Sequence, residues 1–258
     1  MSRTGSSVWR VRTVVVGASS GLGRSIGIGL AARGHQVALL ARRRERLVDA
    51  AAEAGPDAIV LTCDVTDEAS CTAAMQEAAD RMGGVDGLVY ATGVGTLGRL
   101  ADLRAETWAH TFATNVTGAA LITAAALPHL TATRGVAAYL SSVSASMTPP
   151  WPGLGAYIVS KAALDKLVEA WRVEQPGVGF TRVAVGECGG GDGPSGSEFA
   201  TGWDQDLAAE IAPVWFERGL VSGSLIDVDE LIRVVDLVLG CGATASLPSV
   251  SITPRPQG

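Results

Sequence analysis

The chain has 258 residues, 47% hydrophobic and 18% charged, with a formal net charge of −6. That length suits one large α/β domain with a sizeable core, and the acidic balance excludes the basic footprint of a nucleic-acid binder. No apolar run reaches the ~20 residues of a membrane span, residues 1–10 are polar with no leader-like apolar stretch, and the expected location is cytoplasmic.

Residues 13–16 are a β-branched run that reads as a buried strand. Gly17-Ala18-Ser19-Ser20-Gly21-Leu22-Gly23 follows at once, and residues 24–33 read as a helix stopped by Gly34. Strand, glycine turn, helix is the layout of a phosphate seat. Glycines let the backbone approach a pyrophosphate, and a helix N-terminus offers free N–H groups and the positive end of a dipole. The spacing is Gly-x-x-x-Gly-x-Gly rather than the commoner Gly-x-Gly-x-x-Gly. Such a turn can be only a turn; the strand before it and the helix after it favour the seat. Residues 36–40 form a second strand that ends at Ala41, with Arg42 and Arg43 next. Dinucleotide sites carry here an acidic residue for a ribose 2′-hydroxyl or an arginine for a 2′-phosphate. No carboxylate ends this strand, so NADP(H) is expected over NAD(H); the plainer reading is a solvated basic start to the next helix.

Residues 44–54 are helical, 58–63 make a third strand closing with Asp64 and Val65, and 67–82 a helix with Asp67 as N-cap. The fourth strand, 87–90, runs into Ala91-Thr92-Gly93. One or two helices fill 102–130, interrupted near Asn115 and closed by Pro128. A fifth strand, 136–140, ends in Ser141 and Ser142. A sixth, 181–185, precedes a glycine-rich stretch at 186–202 that has no apolar periodicity and reads as a mobile loop. Helices at 207–218 and 228–239 and a last strand at 246–252 follow. Strands alternating with helices mean parallel strands, right-handed crossovers and one doubly wound α/β sheet with helices on both faces. Cys63, Cys71, Cys188 and Cys241 form no Cys-x-x-Cys pair and no metal-like spacing with the three histidines, so reduced thiols and no metal are expected.

Between the fifth and sixth strands lies Tyr157-Ile158-Val159-Ser160-Lys161, the start of a stretch rich in helix formers. Residues four apart share a helix face, about 5–6 Å apart at Cβ. A phenol has a pKa of about 10, and a neighbouring ammonium favours its ionised form. A tyrosine tuned in that way can give a proton to a carbonyl oxygen or take one from an alcohol. An ordinary helix can also carry the two residues at that spacing by chance.

Taken together, the glycine turn, Asn115, Ser142 and Tyr157-x-x-x-Lys161 resemble the classical short-chain dehydrogenase/reductase family, over nearly the full chain from Val14 to the last strand. The resemblance implies a single Rossmann-type domain of about seven parallel strands, usually a homodimer or homotetramer. It implies hydride transfer between NAD(P)(H) and a carbonyl or alcohol carbon. Tyr157 would be the acid/base, and Lys161 would lower its pKa and hold the nicotinamide ribose. Ser142 would steady the substrate oxygen, and Asn115 would hold a water linking Lys161 to solvent. Gly17, Ser19, Ser20, Gly21, Leu22 and Gly23 would form the pyrophosphate turn, with Arg42 and Arg43 at the 2′-phosphate and Asp64 and Val65 at the adenine. Some positions depart from the family pattern. Tyr90-Ala91-Thr92-Gly93 stands where the family has Asn-Asn-Ala-Gly, and Cys188-Gly189 where it has Pro-Gly. No threonine follows among Gly190, Gly191, Asp192 and Gly193. Ser144 would restore the common spacing to Tyr157, whereas Ser142 fits the strand end better.

Substrate loops in this family follow strands four to six. Here they carry Val94, Leu97, Met147, Trp151, Leu154, Trp203, Trp215 and Phe216, with residues 186–220 as a lid, so a mostly apolar small molecule is expected. Several of these side chains can equally pack the lid onto the core. The departures motivate one alternative, an NADP(H)-binding regulatory or scaffold protein of the same fold with weak catalysis. A Rossmann-like methyltransferase has no use for the tyrosine–lysine pair. By position Cys188 and Gly189 would adjoin the cofactor; Cys188 reads as a small buried hydrophobe rather than as a reactive thiol near the nicotinamide, and His35, His110 and His129 need no catalytic role.

Overall fold

The structure, a computed structural model, describes residues 11–190, 196–241 and 244–255. Gly191, Asp192 and Gly193 lie outside the described residues. Seven strands, β1 (Arg12–Val16), β2 (Gln36–Ala41), β3 (Ile59–Thr62), β4 (Gly87–Tyr90), β5 (Val136–Ser142), β6 (Gly179–Val185) and β7 (Ser249–Ile252), form one all-parallel sheet. Its order is β3-β2-β1-β4-β5-β6-β7, the Rossmann-like arrangement expected from the alternating pattern. The helices are α1 (Gly21–Ala32), α2 (Arg44–Ala54), α3 (Glu68–Met82), α4 (Ala105–Phe112), α5 (Gly118–Thr133), α6 (Gly155–Glu174), α7 (Gln205–Glu217) and α8 (Val228–Leu239).

The central strands are continuous apolar runs because both faces are covered. Along β1, Val14 and Val16 enter a core with Leu88, Tyr90 and residues of α3, α5 and α6. Val15 enters the opposite core with Val89, Ala138 and residues of α1, α2 and α8. That two-residue alternation is the pleat of a strand. Asp67 caps α3 as expected, its side chain accepting from the Ser70 amide at 3.1 Å. His35 is structural, hydrogen-bonded at 2.9 Å to the Thr13 hydroxyl on one side and Asp236 of α8 on the other.

Three expectations change. Pro128 does not close its helix: α5 runs on to Thr133. Proline removes one bond, to the carbonyl four residues back, and both Pro128 and Ala124 are exposed, so that carbonyl faces water. The interruption near Asn115 is a π-helical turn, Ala113–Thr117, rather than a break. The continuous helical run Ala105–Thr133 is therefore 29 residues, long and apolar enough by length and composition to cross a bilayer, contrary to the expectation from apolar runs alone. Here it packs on the sheet between α3 and α6.

The order places β1 beside β4, and the chain leaves them in opposite directions. A crevice opens beyond their carboxyl ends, where open α/β sheets take their ligands.

Candidate active site

A cleft of about 610 Å³ fills that crevice. Its floor is the β1–α1 turn. Gly17 and Gly21 hold φ of +91° and +55°, which favour glycine. A Cβ on Gly17 would lie 2.8 Å from the Thr92 hydroxyl and 2.9 Å from the Thr92 amide. Gly23 does not line the cleft; a Cβ there would strike the Gly17 carbonyl, so this glycine lets α1 pack against the turn. Gly17→Ala is expected to cost about 1–3 kcal/mol, read as a fall of several degrees in the thermal midpoint; an unchanged midpoint would show that the turn can relax around a methyl group.

Among the described residues the N-terminus of α1 has no side-chain cap, and the Ser20 hydroxyl accepts from Arg43 at 2.9 Å. Its first N–H groups therefore remain for an anion. Arg43 also donates to the Ser19 hydroxyl at 2.9 Å, whereas Arg42 is exposed at the rim. Of the two arginines, Arg43 is the one built into the site. Asp64 lines the opposite wall with Val65; its carboxyl is held low mainly by the Thr66 amide. Ala91, Thr92 and Gly93 line the cleft beyond β4. Tyr90, in place of a family asparagine, is fully buried and donates to the Thr114 carbonyl at 2.5 Å, tying β4 to the π-turn.

Tyr157 and Lys161 share one face of α6 at the other end of the cleft, with the Lys161 Nζ 5.8 Å from the phenol ring centre. Lys161 is buried and donates to the Leu140 carbonyl of β5 at 2.7 Å. Burial brings its pKa down to about 8, while the Asp165 charge one turn on works the other way. The phenol departs from expectation. Burial pushes Tyr157 up to about 12, with the Ser142 hydroxyl drawing it back; desolvation of the phenolate outweighs any help from the lysine here. Ser142 sits at the end of β5, in the cleft, sharing a 2.8 Å hydrogen bond with the Ser144 hydroxyl, so both serines considered from the sequence are present and coupled.

Asn115 stands one layer below. Its amide Nδ2 donates to the Val94 carbonyl and the Ser160 hydroxyl, each at 2.9 Å, and its Oδ1 accepts from the Val94 amide at 2.8 Å. It pins the loop after β4 and keeps one acceptor lone pair. π-turns of this kind recur at functional sites.

Val94, Trp151 and Cys188 line the cleft; Gly189 does not. Burial raises the Cys188 thiol to about 11, in keeping with an inert packing residue. Trp203 stands behind the cleft wall, edge-on to Phe199 at 5.4 Å. Met147 and Phe216 are exposed and away from it. Three residues that local reasoning passes over are part of the site. Phe199 meets the Tyr157 ring edge-on at 4.8 Å, and Glu198 binds Arg43 and Arg46. No local signal marks Phe199 or Glu198; the run 42–46 marks Arg46 only as one basic residue among several.

A parallel doubly wound sheet with a glycine turn and uncapped helix at its switch point defines a dinucleotide-binding type of fold. Residues 12–194 match the family described as short chain dehydrogenase, and the chain belongs to the short-chain dehydrogenase/reductase family of oxidoreductases. It is 35% identical over 179 residues to an 11-beta-hydroxysteroid dehydrogenase A of Sesamum indicum, covering 67% of this chain and 51% of that protein. It is also 36% identical over 148 residues to an inactive 2-(S)-hydroxypropyl-CoM dehydrogenase 2 of Xanthobacter autotrophicus, covering 57% and 64%. The chain thus spans about half the length of the first of these relatives. An alcohol dehydrogenase from the archaeon Thermococcus sibiricus, complexed with 5-hydroxy-NADP, superimposes with a TM-score of 0.78 at 25% identity over 96% of this chain and 98% of that one.

Proposed function

We propose that the protein is an NADP(H)-dependent oxidoreductase acting on a carbonyl or secondary alcohol of a mostly apolar small molecule, with Tyr157 as general acid/base. The observation that carries this is one cleft with an uncapped helix N-terminus and Arg43 at one end and Tyr157, Lys161 and Ser142 at the other. The residues fit a phosphorylated dinucleotide: a backbone cradle that a Cβ at Gly17 would fill, a helix N-terminus with no side-chain cap among the described residues, and a guanidinium between two serine hydroxyls. A bound nicotinamide would supply or accept the hydride.

The chain's own residues do the rest. In reduction, Tyr157 gives its proton to the substrate oxygen as negative charge builds there. The Ser142 hydroxyl donates to the same oxygen. Lys161, charged below about pH 8, offsets the phenolate left behind and is the donor from which Tyr157 recovers a proton. The free lone pair of Asn115 receives the water that joins Lys161 to solvent. Trp151 and Leu154 give the substrate end its apolar wall. Residues 186–220, of which 191–195 lie outside the described residues, serve as the lid. The apolar residues all round α5 support a second copy of the chain covering its outer face. Four free thiols support a reducing, cytoplasmic setting.

Calorimetric titration with NADPH and NADH tests the cofactor. Arg43→Ala is expected to weaken NADPH about 10–100-fold, as for loss of charge-assisted bonds, and NADH by less than about threefold. Equal losses for both would remove the 2′-phosphate role. One observation favours a second reading, a binding protein with weak catalysis: the Phe199 ring packed against the Tyr157 phenol.

A further inference from the structure

Residues 196–203 lie across the mouth of the cleft. The Ser197 Cα is 3.2 Å from where a Cβ on Gly21 would stand. Phe199 packs on Tyr157, and the Trp203 indole N–H donates to the Gly95 carbonyl at 2.8 Å. Between these anchors the Glu198 carboxylate is held by two guanidiniums. Arg43 Nη1 reaches both of its oxygens at 2.5 Å, and Arg46 Nη1 reaches Oε1 at 2.5 Å. The Arg43 hydrogen bond keeps this carboxyl below the usual range, so it is charged at neutral pH. The second nitrogen of Arg43 is spent on Ser19 and Ser20. The arginine best placed for a 2′-phosphate is thus engaged by an anion of its own chain, and carboxylate and phosphate compete for the same guanidinium geometry.

We propose that Glu198 determines cofactor specificity: its carboxylate takes the 2′-phosphate seat on Arg43, and NADPH must displace it whereas NADH need not. This rests on the dinucleotide reading given above. The preference for NADPH is then the gain of the phosphate on Arg43 less the loss of Glu198 from it. Whatever cost of moving the neighbouring residues the two cofactors share cancels in the ratio of their affinities.

The test is calorimetric titration of wild type and Glu198→Gln with NADPH and NADH, and with 2′,5′-ADP and 5′-AMP as probes of the adenosine end alone. Glu198 is partly exposed, and glutamine keeps its size. The ratio Kd(NADH)/Kd(NADPH) is expected to rise about three- to tenfold in the variant, the scale of a partly exposed ion pair, mainly through tighter NADPH, with the same shift in the two probes. An unchanged ratio with both cofactors tighter would overturn the proposal and leave Glu198 a loop fastening. A ratio raised only because NADH binds more weakly would overturn it too, by making Glu198 a ribose ligand. If wild type and variant bind no dinucleotide, the cofactor reading itself fails and the proposal falls with it.

Discussion

Tyr157→Phe is expected to lower kcat for carbonyl reduction by about 10²–10⁴-fold, the range of a lost general acid, with cofactor affinity within about threefold of wild type. With its pKa near 12, the hydroxyl holds its proton throughout the neutral range and is the donor facing the cleft. Phenylalanine removes that donor alone. The ring keeps its edge-to-face contact with Phe199, so folding and the thermal midpoint should barely change. Steady-state rates with a panel of apolar ketones and calorimetry with NADPH give the two quantities. A variant that keeps a tenth or more of wild-type turnover would remove Tyr157 from the proton transfer. A wild-type protein that binds NADPH but turns over nothing would bring the binding-protein reading forward.

Lys161→Met is expected to abolish turnover and yet raise stability at pH 7, by about 1–3 kcal/mol, as when a buried charge gives way to an apolar side chain. Lys161 is 4% exposed and, among the described residues, makes one hydrogen bond, to Leu140. The Asp165 charge only partly offsets burial, and that carboxylate is itself bound to Arg182 at 3.0 Å. With a folded pKa of about 8 against an ordinary 10.5, the folded state bears the full cost of the charge below pH 8. Between about 8 and 10.5 the unfolded chain holds a proton that the folded one has released, so stability rises with pH across that window. Methionine removes both the cost and the slope. The unpaired Leu140 carbonyl takes back part of the gain. Thermal melts of both proteins from about pH 6.5 to 10 span this window; a variant less stable than wild type at pH 7 would mean that the Leu140 and Asp165 contacts outweigh desolvation. The same titration predicts that wild-type kcat/KM for reduction falls as pH rises through about 8, because the charge beside Tyr157 is then lost.

Much of this protein follows from its sequence through short-range rules. Residues 13–16 can only be a buried strand, because β-branched side chains on both faces need cover on both faces. The glycine turn is legible because Gly17 and Gly21 take positive φ where most side chains are strained. Tyr157 and Lys161 come together because the α-helix returns to the same face after four residues. The order of strands and helices then leads to the sheet and its crevice by the handedness of crossovers. Pro128 shows the limit of such rules: whether a missing hydrogen bond ends a helix depends on whether water reaches the freed carbonyl.

Other features were decided by the tertiary structure alone. Glu198 meets Arg43 across 155 residues of chain, and no periodicity or spacing encodes a contact of that reach. The same holds for Phe199 on Tyr157 and for the amide of Asn115, which is engaged largely by Val94 and Ser160. The ionisation of the site belongs here too. From sequence, Lys161 beside Tyr157 predicts a lowered phenol pKa, because charge spacing along a helix is local. The folded chain raises it, because desolvation depends on everything packed around the hydroxyl, and that is a property of the whole fold.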